Sequence, residues 1–314
     1  MMELNKIYHT DFINNTLPDK SVQLIIADPP YFEVKGEFDF IWSSFDDYLA
    51  DVEKWAQECK RLLADNGTLY WFGASKKIAY TQVIIDKYFY LLNNLVWEKS
   101  ESGGLFGSAG SEGLRTYANA TERILMYSNE TYNLTSCIYS IRDYIRHEII
   151  KAKGRIIFKE VNTALGTATN GGGVASACLS LDKSEPAMIT KEMYEKLRIW
   201  LNEGLSENEY LRKEYEDLRR PVNNVSKSTE VIKVRFEGSI HEHETVKPEK
   251  LTRLLILTSS RKGDTVLAPF AGSGTECAMA AKEGRNFIGF DVNDKYANMA
   301  QGRCDKILAQ PSLF

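Results

Sequence analysis

The apolar positions along this chain recur with two periods. Val22-Gln23-Leu24-Ile25-Ile26-Ala27 is a nearly continuous apolar run of strand length, the pattern of a strand buried on both faces. A shorter stretch, Ile7 to Phe12, reads as an earlier strand ending in a polar turn. Ser43 or Ser44 can cap a helix with Asp46 and Asp47 in its first turn; Tyr48, Val52, Trp55, Cys59 and Leu62 then recur at helical spacing until Gly67. Leu69 to Phe72, Leu91 to Trp97 and Glu122 to Tyr127 have strand character, with a helical stretch from Lys76 to Tyr88. The last third repeats the rhythm. A helix starts at Pro248 with Leu251, Leu254, Leu255 and Thr258 on one face, a strand covers Thr265 to Ala268, a helix Glu276 to Lys282, and a strand Asn286 to Phe290 with Asp291 at its end. Such β-α-β alternation predicts an α/β fold, doubly wound, with a mostly parallel sheet.

Residues 130–235 break the alternation, so three segments are expected: 1–129, an inserted helical region 130–235, and 236–314. Within the insertion, Tyr144 to Lys153 and Phe158 to Leu165 look helical, the second ending at Gly166. A turn rich in Thr, Asn and Gly leads to Val174 to Leu179, and the whole resembles a helix-turn-helix. Arg142, Arg146, Lys151, Lys153, Arg155 and Lys159 make this the most basic window and suggest phosphate contacts, with Asn170 and Ser176 available to a groove. A plain helical insertion with a solvated charged face is the alternative. Glu192 to Arg220 has the spacing of amphipathic helices. Outside the insertion, the glycine-rich stretch from Ser100 to Ala120 predicts a mobile loop, and Phe38-Asp39-Phe40-Ile41-Trp42 is either a lid over a ligand or a plug over the core.

Composition narrows the function classes. The 314 residues, 43% hydrophobic and 26% charged, are those of an ordinary globular protein, long enough for one large domain with an insertion. No apolar run could span a bilayer and the first residues lack a signal-peptide core, so a cytoplasmic protein is expected. Five scattered cysteines without a Cys-x-x-Cys pair, and His241 and His243 without metal spacing, predict reduced thiols and no metal. A net charge of −4 excludes a chain that coats a polyanion over its whole surface, so nucleic acid must meet a local patch.

Two motifs carry chemistry. Asp28-Pro29-Pro30-Tyr31 follows the apolar run, where α/β sheets bind ligands. The prolines stiffen the turn and lack N–H donors, Asp28 adds an acceptor, and Tyr31 adds a flat ring. That combination suits a planar ligand with an exocyclic amino group. The second motif, Phe270-Ala271-Gly272-Ser273-Gly274-Thr275, joins a strand to a helix, with Asp291 near the next strand tip. This is the geometry that binds an adenosine-containing cofactor, without the Gly-x-Gly-x-x-Gly spacing of a dinucleotide site or the lysine of a P-loop.

Together, in this order, the two motifs resemble the DNA amino-methyltransferases that use S-adenosylmethionine, and their arrangement resembles the β class of N6-adenine enzymes. The resemblance covers roughly residues 4–129 and 236–306, and puts the insertion in the place of that family's target-recognition domain. It implies that Asp28, Pro29, Pro30 and Tyr31 are catalytic. Asp11, with Phe12 beside it, would contact the cofactor's adenine; His243, Thr245, Lys247 and Pro248 would approach its methionine moiety; Asp291 would hold the ribose. Ala268 stands where the family usually has Asp. The implied partner is double-stranded DNA, with base flipping, and the class often forms homodimers and accompanies a cognate restriction endonuclease. N4-cytosine or RNA methylation, or a DNA-binding relative with impaired cofactor binding, are the alternatives; the N4 enzymes typically begin the catalytic motif with Ser rather than Asp.

Overall fold

The computed structural model describes residues 2–34, 39–99, 120–129, 138–169, 173–184, 186–218, 229–235 and 246–309. Phe38, most of the glycine-rich stretch, Asn170, the segment 219–228, His243 and Thr245 lie outside the described residues. The chain forms two compact units, Met1–Glu130 with Pro221–Phe314, and Thr131–Arg220.

The first unit is built on a sheet of eight described strands. In chain order they are β1 (Lys6–His9), β2 (Val22–Ala27), β3 (Leu63–Ala74), β4 (Tyr90–Glu98), β5 (Thr121–Ser128), β6 (Val231–Lys233), β7 (Thr265–Ala268) and β8 (Asn286–Asp291). Their spatial order is β1-β8-β7-β2-β3-β5-β4-β6. Side chains alternate between the two faces, so that Leu24 and Ile26 join one apolar cluster while Ile25 and Ala27 join the other. Helices α1 (Phe45–Leu62) and α2 (Ile78–Ile85) supply the second cluster; α8 (Glu249–Ser259), α9 (Thr275–Lys282) and α10 (Asp294–Leu308) supply the first. Coverage of both faces is why β2 could be read as a continuous apolar run.

Most strand pairs are parallel, but β5 runs antiparallel to both β3 and β4. Simple alternation does not anticipate this reversal. Antiparallel neighbours need no crossover helix, so β4 and β5 lie side by side. Helix α1 starts where expected, with the Ser44 side chain accepting from the Asp47 N–H, but it stops at Leu62 rather than near Gly67. Leu63 is already extended and pairs with Val22, which ends the helix early. β6 pairs with β4, so the sheet's unit takes back residues that the expected 130–235 insertion would have included. Helix α10 is an element that the pattern reading does not include. Asn293 caps it, and Ala297, Ala300 and Cys304 form its buried stripe, an i, i+3, i+7 signal made of small residues.

The direction of winding changes between β7 and β2. From β7 the chain passes through α9 to β8 on one side, and from β2 through α1 to β3 on the other. Leu24 pairs with Val266 and Ile25 with Leu267, so Asp28 and Phe270, each three residues further on, leave the sheet side by side. That edge is where an open α/β sheet receives ligands.

The second unit consists of α3 (Ile138–Lys153), α4 (Phe158–Leu165), α5 (Gly173–Leu179), α6 (Lys191–Leu201) and the short α7 (Tyr215–Leu218). Ile141, Ile145, Ile149, Val161, Leu165, Ala175, Cys178 and Leu197 share its core. Gly166 ends α4 in the left-handed conformation. Asn162 is fully buried and ties the start of α5 to α4: its Oδ1 accepts from the Ala175 N–H at 2.8 Å and from the Thr167 hydroxyl at 3.1 Å. Replacing Asn162 by Ala leaves a buried N–H without a partner. The expected cost is about 1–3 kcal/mol, read as a lower urea midpoint for this unit; an unchanged midpoint would remove Asn162 as its clasp.

Candidate active site

Asp28 sits at the tip of β2 and is held by two donors. Lys247 Nζ lies 2.9 Å from its Oδ2, and the Tyr31 hydroxyl donates to its Oδ1 at 2.8 Å. The turn is fixed from the other side by Asp39, buried, which accepts from the Tyr31 N–H at 2.5 Å. Each oxygen of Asp28 still has acceptor capacity, because a carboxylate offers about four lone-pair sites.

Lys247 is 7% exposed, yet it carries a charge among aromatic rings. Its ammonium lies 5.3 Å from the Tyr31 ring centre and 5.1 Å from that of Phe72. Beyond Asp28 it reaches Glu122 Oε2 at 3.3 Å, an ion pair without a directed hydrogen bond, and Glu122 in turn pairs with Lys99 at 2.5 Å. Burial alone would lower the Lys247 pKa, but the charges of Asp28 and Glu122 hold it well above the ordinary lysine range. Burial likewise pushes Glu122 up, and the two lysines overcome this and keep its carboxyl below the usual range. The Tyr31 phenol is driven far up by burial and then by Asp28, so it stays a donor.

The resemblance puts Lys247 on the methionine side of the cofactor; its described partners are Asp28 and Glu122, beside the catalytic tetrapeptide. Tyr31 keeps the flat ring the motif supplies, with its hydroxyl tied to Asp28 and a cation near the ring. The sequence gives Glu122 and Lys99 no role, and only the antiparallel insertion of β5 brings Glu122 to this position.

The glycine turn follows β7. Gly272 has φ +49° and donates its N–H to Asp291 Oδ2 at 2.8 Å, and the Asn293 N–H donates to Oδ1 at 2.8 Å. Asp291 thus shapes the turn and remains half-exposed at the tip of β8. Gly274 has φ +73°, and a Cβ there would stand 2.6 Å from the Ala300 Cβ, so the close approach of α10 requires glycine. Arg303 of α10 braces the turn through the Ser273 carbonyl at 3.1 Å and the Thr275 hydroxyl at 3.0 Å. Ala271, Ser273 and Thr275 are buried, as is Pro248 at the start of α8.

Asp11 is exposed, and its side chain accepts from the Ile13 N–H to cap a short 3-10 turn, Phe12–Asn14. Phe12 is buried, edge-on to Phe270 at a centroid distance of 6.2 Å and tilted against Phe290 at 6.0 Å, so its ring belongs to the core. Trp42 plugs the core, edge-on to Tyr48 at 5.0 Å with its indole N–H on Asp51, while Phe40 and Ile41 are 62% and 68% exposed.

In the helical unit, the basic residues divide. Arg142 is buried and pairs with Asp143 at 2.8 Å, and Arg146 donates to the Leu179 carbonyl at the end of α5. Burial of Arg142 corrects its assignment to a phosphate-facing surface, whereas Arg146 remains half-exposed. Lys151, Lys153, Arg155 and Lys159 are not buried, with Lys151 over Tyr210 and Lys153 over Trp200, and Ser176 is half-buried on α5.

Among the described residues, no group of three or more His, Cys, Asp or Glu could hold a metal ion, and no helix is long and apolar enough to cross a membrane. Comparison with known proteins gives this geometry a family. The chain is 28% identical to the DNA adenine methyltransferase YhdJ of Escherichia coli (strain K12), over 96% of this chain and 83% of that protein. It is 27% identical to the Type II methyltransferase M.HinfI of Haemophilus influenzae, over 98% and 70%. Its fold is similar to that of the Thermus thermophilus protein TTHA0409 in complex with S-adenosyl-L-methionine, at a TM-score of 0.52 and 19% identity, covering 97% and 96% of the two chains. The DNA methylase family model for N6 and N4 enzymes matches residues 22–302, and the chain belongs to that family.

Proposed function

We propose that this chain is a site-specific DNA methyltransferase that transfers a methyl group from S-adenosylmethionine to N6 of an adenine turned out of the duplex. The observation that carries the reading is the adjacency of Asp28 and the Phe270–Thr275 turn at the point where the sheet changes direction, within a DNA methylase chain. YhdJ, named a DNA adenine methyltransferase, supports adenine as the base, and Asp rather than Ser at the head of the catalytic motif favours N6 over cytosine N4. The order of the motifs supports the β class. M.HinfI, a Type II methyltransferase, supports a restriction-modification setting with a cognate endonuclease, and the resemblance to the β class is the ground for proposing a homodimer.

The residues fit the cofactor. Asp291 keeps acceptor capacity for ribose hydroxyls at the strand tip, Asp11 lies exposed for the adenine, and the two glycines give the backbone close approach. When bound, S-adenosylmethionine supplies an electrophilic methyl group. Asp28 and the Pro29 carbonyl accept the two amino hydrogens of the base and turn the nitrogen lone pair toward that methyl. Lys247 and the Tyr31 hydroxyl fix the Asp28 carboxylate in one orientation, and its negative charge stabilises the positive charge that develops on N6. The product nitrogen is acidic enough to release its proton to water, so no strong base is needed. Turning the adenine out costs about a few kcal/mol, offset by contacts in the pocket. Lys151, Lys153, Arg155 and Lys159 are the candidates for phosphate contacts, with Ser176 and Asn170 for the groove.

Asp28→Ala should abolish N6 methylation, read by sequencing DNA from a host that lacks its own adenine methylation, while leaving DNA binding largely intact. Equal methylation by the two proteins would sink the assignment, and N4-methylcytosine in its place would move it to the second base. Lys247→Met leaves Asp28 and Glu122 without their shared counter-ion, at an expected cost of about 3–5 kcal/mol seen as a lower melting temperature at neutral pH. The sign of the pH dependence follows from the two shifts. The lowered Glu122 contributes above its ordinary 4.5 and is lost as pH falls through its folded value; the raised Lys247 contributes below its ordinary 10.5 and is lost as pH rises through its folded value. The wild-type advantage over Lys247→Met should therefore be largest at neutral to mildly alkaline pH, shrink as pH falls and the carboxylates left without Lys247 take up protons, and shrink again as pH rises above about 10.5.

A further inference from the structure

Glu276 stands in the first turn of α9, directly after the glycine turn and outside the catalytic tetrapeptide. It is 4% exposed, and among the described residues no cation lies within ion-pair distance of it. Of the surrounding charges, Asp28 acts on it most strongly, followed by Lys247 and Arg303. Both cations are committed elsewhere: Lys247 to Asp28 and Glu122, and Arg303 to Glu249 at 2.7 Å and to the turn itself. The thiols of Cys277 and Cys304, also coupled to Glu276, are pushed up by burial and stay neutral.

The neighbourhood therefore holds three carboxylates, Asp28, Glu122 and Glu276, against the two ammonium groups of Lys247 and Lys99. A buried carboxylate without a counter-ion is costly, and this one lies where the two motifs meet, beside a helix start that Gly274 leaves without a side-chain cap. An amino-acid end bound at that helix start would have first-turn N–H groups to receive its carboxylate and Glu276 to receive its ammonium. Ala268, at the end of β7, brings no charge to the same edge.

We propose that Glu276 is the anchor for the ammonium group of the methyl donor's amino-acid end, the acidic group that this pocket carries on α9 rather than at the tip of β7. The proposal rests on the reading of the chain as an S-adenosylmethionine-dependent enzyme. Burial, and then the charge of Asp28, push the Glu276 pKa up to about 7. An ammonium on Glu276 favours its ionised form. Donor binding then releases a proton at pH values below this, and affinity rises as pH rises through about 7.

The test is calorimetric titration of the full chain and of Glu276→Gln with three ligands. S-adenosylmethionine and S-adenosylhomocysteine both carry the ammonium; 5′-methylthioadenosine keeps the adenosine and sulfur but lacks the amino-acid end. Glu276→Gln should weaken the first two by about tenfold to a hundredfold, the range for a hydrogen bond to a charged group, and leave methylthioadenosine unchanged. It should also flatten the rise in S-adenosylhomocysteine affinity between about pH 6 and about pH 7.5. Equal losses for all three ligands would make Glu276 a purely structural residue. Loss for S-adenosylmethionine alone would assign it to the sulfonium, and no loss at all would also overturn the proposal. Failure of the wild-type chain to bind S-adenosylmethionine would overturn the functional reading as well, and so is distinct from these outcomes.

Discussion

The buried ammonium of Lys247 is the interaction on which the catalytic edge depends. It connects Asp28 at the tip of β2 to Glu122 on β5, and it does so from the residue before Pro248 at the start of α8. These three positions come from widely separated parts of the chain. A charge in such a place is tolerated only because two carboxylates and two ring faces replace water, and removing any partner leaves another buried charge exposed to an apolar environment. The same contact fixes which way Asp28 presents its remaining lone pairs. A hydrogen-bond acceptor meant to orient an amino group gains from being held before the substrate arrives, because no reorganisation is then required.

The second motif is pre-shaped by different means. Backbone geometry dominates there: two glycines at positive φ, a turn N–H on Asp291, and Arg303 bracing the turn from α10. The small stripe of Ala297, Ala300 and Cys304 allows α10 to come close enough for this. One motif thus relies on a buried charge cluster and the other on backbone and small side chains. The two meet because β7 and β2 are neighbours at the change of winding.

The helical unit separates residues that sequence grouped together. Six basic positions in one window look equivalent on paper. Folding turns Arg142 inward to Asp143 and Arg146 onto a helix end, and leaves Lys151, Lys153, Arg155 and Lys159 outside. Spacing on a helix could have hinted at this, since Arg142 falls beside the buried Ile141, Ile145 and Ile149 stripe.

Local pattern determined a large part of this protein. The apolar run of β2, the cap at Ser44, the Gly166 stop of α4 and the strand-turn-helix of the glycine motif were all legible, because each depends on residues within a few positions of one another. The paired motifs and their order were legible for the same reason, and with them the family. Tertiary structure alone decided the reversal of β5, which rests on strand pairing rather than local preference, and hence the arrival of Glu122 beside Lys247. It likewise joined Lys247 to Asp28, and left Glu276 buried within the influence of Asp28 with no ion pair among the described residues. The environment of a charge is set by whatever the whole fold brings near it, and no period or spacing in the sequence encodes that.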